Sequence, residues 1–115
     1  MTLNESLCGL ITKYGEDEFP WGLIPQDQST GFFVRELYGE LNETHPLMNS
    51  TIRHAVAKCY ANDDVLFLAE DGRYYIVRLT YTKSNTAGFP QYSEFLNIET
   101  AMTFIEEHYM MERGS

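Results

Sequence analysis

Three histidines, two cysteines and seventeen carboxylates are the side chains here that could shuttle a proton, attack an electrophile or hold a metal ion. Nucleophilic catalysis needs a Ser or Cys beside a base that a third group holds in place. Neither a G-x-S-x-G block nor a reactive-cysteine signature lies near His45, His54 or His108. His54, at the start of a strand-like run, reads as structural. His108, in the last turns of an acidic helix, reads as a neighbour of glutamates or of the helix dipole. His45 with Glu43 and Asp63 with Asp64 are the compact metal-ligand pairs, but Asn62-Asp63-Asp64 lacks the glycine and distal glutamate of a calcium loop and reads as a solvated turn. Phosphate-cradling glycine patterns are absent. No metal or cofactor is expected. For a hydrolytic enzyme, the polar cluster to consider is His45, Asp64 and Arg78.

The elements that would position these groups follow from periodicity. Leu3, Leu7, Leu10, Ile11 and Tyr14 recur at helical spacing behind a Thr2–Glu5 capping box, and Gly15 supplies a stop, so a helix is predicted over 3–14. Phe19 to Pro25 holds two prolines and a glycine around large apolar groups and reads as an extended segment anchored by Trp21. Phe33, Leu37 and Leu41 place a second helix over 31–41, capped by Ser29 or Thr30. Ile98, Ala101, Met102, Ile105, Tyr109 and Met110 share one side of a last helix over 98–112, capped by Asn97.

Between these helices lie strand-like runs over 52–60, 65–70 and 73–81, with a short edge strand over 93–96. Asp71-Gly72 favours a two-residue type I′ hairpin turn, and Asn62-Asp63 reads as a second tight turn. That register places Leu66 opposite Val77, Leu68 opposite Tyr75 and Cys59 beside Leu66. One face then carries Ala57, Cys59, Leu66, Leu68, Tyr75, Val77 and Leu79 and takes a helix. The other carries Val56, Lys58, Tyr60, Val65, Phe67, Tyr74, Ile76 and Arg78, an amphipathic surface for the Phe19–Pro25 segment or a partner. The expected fold is α+β: a three- or four-stranded antiparallel meander packed with two to three helices. Residues 1–113 make one domain, and Gly114-Ser115 reads as a tag remnant.

The totals bound the partner. At 115 residues the chain can bury a core without disulfides or a metal. Cys8 and Cys59 are expected buried, reduced and unpaired. The net charge of −9 repels nucleic-acid backbones and anionic membranes, and it suits a basic protein partner. Eight Tyr, seven Phe and one Trp supply anchors for contact. Nothing is long and apolar enough to span a bilayer, and no secretory leader is evident, so a cytoplasmic location is expected.

His45-Pro46-Leu47, Asp63-Asp64-Val65-Leu66-Phe67 and Tyr74-Tyr75-Ile76-Val77-Arg78-Leu79-Thr80 together resemble blocks in a set of small, uncharacterised bacterial proteins. The resemblance covers about residues 30–95. It implies a bacterial, cytoplasmic origin and carries no assigned activity or site residue. The leading expectation is a non-enzymatic acidic binding protein, such as an immunity protein or inhibitor, using Tyr60, Phe67, Tyr74 and Arg78 against a basic partner. A small-ligand or regulatory domain is the second reading, and a hydrolytic enzyme the third.

Overall fold

A computed structural model of the chain describes residues 3–15, 17–25, 27–41, 47, 51–79 and 92–113. They form, in order, helix α1 (Leu3–Tyr14), strand β1 (Trp21–Leu23), helix α2 (Gln28–Glu40), strands β2 (Ile52–Cys59), β3 (Asp64–Ala69), β4 (Tyr74–Arg78) and β5 (Tyr92–Phe95), and helix α3 (Ile98–Arg113). The five strands make one antiparallel sheet in sequential order, β1-β2-β3-β4-β5. The class is therefore α+β, with five strands rather than three or four. The added strand is β1. The extended Trp21 segment pairs with the end of β2, Trp21 against Cys59 and Leu23 against Ala57.

The helices form where their apolar stripes and caps dictate. Gly15 stops α1 at a φ of 95°, a left-handed conformation that costs glycine little, and its amide donates to the Ile11 carbonyl. Asn97 Oδ1 accepts from the Thr100 amide and caps α3. The second helix begins at Gln28 rather than 31 because Asp27, not Ser29 or Thr30, is its cap: Asp27 Oδ1 accepts from the Ser29 amide. Thr30 is then free for another task. Its hydroxyl donates to the Ala55 carbonyl and accepts from the Ala55 amide, tying α2 to β2.

Both predicted turns are longer than expected, and this moves the register. The β3–β4 hairpin closes over three residues, Glu70, Asp71 and Gly72, with Gly72 at a φ of 92°. That is the geometry of a type I turn followed by a glycine bulge, not a type I′ turn. Leu66 consequently faces Ile76, Phe67 faces Tyr75 and Leu68 faces Tyr74. The β2–β3 connection runs from Tyr60 to Asp63, with the Asn62 side chain accepting from the Asp64 amide. Ala57, not Cys59, lies beside Leu66, and His54 lies beside Leu68. Irregularities between Ile52 and His54 and between Ala55 and Ala57 bend β2 further.

Because side chains alternate across a sheet, this one-residue slip moves every β4 side chain to the face opposite the expected one. The sheet is covered on both sides. Leu66 and Ile76 pack with Leu7 of α1, with Ala101, Met102 and Ile105 of α3, and with Phe19 and Trp21. Val65, Phe67, Tyr75 and Val77 pack with Leu37 of α2 and with Leu41 and Leu47. The run Val65-Leu66-Phe67-Leu68-Ala69 is continuous rather than alternating for this reason: both its faces meet helices. Cys59 is buried, as expected, but Cys8 is exposed. It follows Leu7 by one position, about 100° around the helix, which turns it off the buried stripe. No described helix is long and apolar enough to cross a membrane.

Candidate functional site

Two surface concavities flank α3. The first is a cleft of about 500 Å³ where the ends of β3, β4 and β5 approach it. Asp64 opens β3 and Arg78 closes β4, and the antiparallel register makes them direct partners. Arg78 Nε donates to Asp64 Oδ1 at 3.0 Å and its Nη2 donates to Oδ2 at 3.3 Å, a two-point pair. Ile76, Tyr92 and Ser93 extend the sheet wall. From α3 come Phe104 and His108, one turn apart, their ring centroids 4.1 Å from each other. A smaller cavity of about 20 Å³ adjoins it, between Trp21, Asn62, Asp64, His108 and Tyr109.

This cleft holds a Ser, a His and an Asp, so its hydrogen bonds decide what it can do. Among the described residues none joins Ser93 to His108 or His108 to Asp64, and the carboxylate is held by Arg78. That arrangement differs from a nucleophile–base–orienter relay, in which each group bonds the next. It suits retention of a small polar or aromatic molecule better, and the volume lies within the ~300–1,000 Å³ of ligand clefts. Among the described residues, no group of three His, Cys, Asp or Glu is placed to hold a metal ion.

The second concavity is a groove of about 550 Å³ between α1 and α3, lined by Lys13, Tyr14, Thr103, Glu106, Glu107, Met110 and Met111. Glu106 organises it. Its carboxylate accepts from Lys13 Nζ at 2.7 Å and from the Tyr14 hydroxyl at 2.6 Å. The hydrogen bond from Lys13, followed by that from Tyr14, holds the Glu106 carboxyl below the ordinary glutamate range. The reciprocal bond pushes the Lys13 ammonium and the Tyr14 phenol up. Behind the groove the Tyr14, Phe19 and Tyr109 rings pack together, with centroids 4.8–5.9 Å apart.

The residues predicted for partner contact do not assemble into one surface. Phe67 is fully buried beneath α2 and belongs to the core. Tyr74 is half-buried on the opposite face, packed with the α1–α3 side, and its phenol is pushed up by burial and then by Glu99. Tyr60 is exposed past the end of β2, its ring against Gly22, where a Cβ would lie 2.8 Å from a ring carbon. Arg78 is exposed but engaged by Asp64. The proposed face came from the slipped register, which is why it scatters. Of the alternative polar cluster, Asp64 and Arg78 meet, while His45 lies outside the described residues.

Sequence reasoning missed His108 as a cleft residue and the α1–α3 groove altogether. Phe104 and His108 sit at a one-turn spacing that would align them on a helix. Met110 and Met111 are adjacent, about 100° apart on a helix, so both could not face the core. No family model, curated protein or solved structure matches this chain.

Proposed function

We propose that the chain is a non-enzymatic acidic binding domain, of the immunity-protein or inhibitor kind, acting on a basic protein partner in a bacterial cytoplasm. One observation carries this reading: four cations are paired locally, Arg35 and Lys58 are not, and a larger set of exposed carboxylates is left over among the described residues. Lys13, Arg53, Arg73 and Arg78 each sit within 4 Å of a carboxylate oxygen. Asp17, Glu18, Asp63, Glu99 and Glu107 are exposed and form no ion pair among the described residues. These exposed carboxylates belong to a chain of net charge −9, and such a surface accelerates encounter with a basic partner.

Capture on immobilised protein at low salt tests the reading, with a Glu99→Lys/Glu107→Lys variant as the control. The expected result is a basic protein retained by the wild type, eluted by salt and weakly held by the variant. Retention of an acidic protein, or equal retention by the variant, would count against it.

A small-ligand reading draws on a different observation, the cleft in which Phe104 and His108 stack opposite the Asp64–Arg78 pair. A small molecule copurifying with the wild type and lost from Phe104→Ala would favour that reading over a protein partner.

A further inference from the structure

We propose that the groove between α1 and α3 receives the apolar face of a basic amphipathic helix supplied by the partner. This rests on the basic-partner reading and assigns its contact surface. Apart from Glu107, the polar groups lining the groove are already served. Glu106 is taken by Lys13 and Tyr14, and the Thr103 hydroxyl donates to the Glu99 carbonyl. Beside these lies exposed apolar surface: Met110 is 53% and Met111 74% exposed, far more than Met102 at 8% on the same helix. Methionine's unbranched, polarisable side chain moulds to an apolar partner with little steric demand.

Charge fixes the partner's chemistry. Glu107 lines the groove, exposed and without an ion pair among the described residues, and Glu99, likewise exposed and without one, lies two turns earlier on α3. Asp17 and Glu18 are exposed in the turn leading from α1 to Phe19, whose ring packs on Tyr14 and Tyr109. An apolar strip beside the uncompensated Glu107 carboxylate, on a chain of net charge −9, complements an apolar strip flanked by Lys and Arg. It disfavours an anionic membrane, and it disfavours a second copy of this chain, which brings the same −9.

Backbone chemistry fixes its secondary structure. Both walls of the groove are helices whose amides and carbonyls bond internally, so an extended strand would find no ladder there. A helix meets its own backbone bonds and offers side chains to the gap between two others. From Thr103 to Met111 the groove follows nine residues of α3, about 13 Å, matching two to three turns of a partner helix.

Three synthetic probes test this at low salt. They are a Leu/Lys peptide of about fourteen residues with one apolar helical face, its scrambled isomer, and an oligolysine of equal charge. Binding is read from the methyl resonances of protein labelled with 13C at the methionine methyls. The expected result is that the amphipathic peptide shifts Met110 and Met111 and leaves Met102 nearly unmoved. Its affinity should exceed that of the scrambled isomer by about tenfold or more. A Met110→Ala/Met111→Ala variant, which also removes the sulfur that accepts from the Tyr14 hydroxyl, should lose about tenfold for that peptide and nothing for oligolysine. Equal affinity for the two isomers, or unmoved Met110 and Met111 signals, would overturn the groove while leaving the basic-partner reading standing. Failure of all three probes to bind would overturn both.

Discussion

Tyr109 carries its hydroxyl into the interior, where it has no hydrogen-bond partner among the described residues. A buried, unserved hydroxyl costs about 1–3 kcal/mol, so deleting it should not destabilise the fold. Tyr109→Phe is expected to hold or raise the unfolding free energy, by up to about 1 kcal/mol, in urea titrations. A loss of that size instead would mean the hydroxyl has a partner. Glu106 makes the opposite case. Its folded-state carboxyl is held below the ordinary value of 4.5. The stabilisation is thus fully present above that value and lost as pH falls through the lower folded-state value. The wild type should therefore lose more stability between neutral and acid pH than Glu106→Gln does. Identical pH dependence in the two proteins would remove Glu106 from the account.

At the scale of elements, the β3–β4 hairpin rests on Gly72 at a φ of 92°. Gly72→Ala should cost about 1–2 kcal/mol, because a Cβ is strained in that conformation, and Gly72→Asn should cost less. Equal denaturation midpoints for wild type and Gly72→Ala would argue for a different turn. This hairpin also shows what the sequence could and could not convey. The outer helices were legible because their apolar stripes and caps are local: α1 spans Leu3–Tyr14 and α3 spans Ile98–Arg113, one residue beyond expectation. Register was not legible, since Asp71-Gly72 fits both a two-residue turn and the end of a three-residue one. That single residue exchanged the faces of β4 and parted Tyr74 and Arg78 from Phe67, which is core because α2 covers its face. The irregularities in β2 have no local signature at all, and α2 slid because three neighbouring residues could each cap it. Asp64 and Arg78 were both singled out as polar candidates, but their direct pairing follows from that same register. The α1–α3 groove depends on two helices separated by most of the chain, an approach no local pattern encodes.

Among the described residues both faces of the central strands are covered, which leaves helix surfaces, strand ends and clefts for the proposed recognition. Lys13, Arg53, Arg73 and Arg78 are neutralised by neighbouring carboxylates, and the chain carries a net charge of −9. Long-range attraction of this kind is screened over about 8–10 Å at physiological salt, whereas contact packing is not. Salt should therefore act on the rate of association, and side-chain truncation in the groove on the rate of dissociation. The most direct measurement is stopped-flow association of the captured partner with the wild-type chain, from about 20 mM to about 500 mM salt. The account predicts an association rate that falls by about tenfold or more across the series, with dissociation changing far less. An association rate indifferent to salt would contradict it.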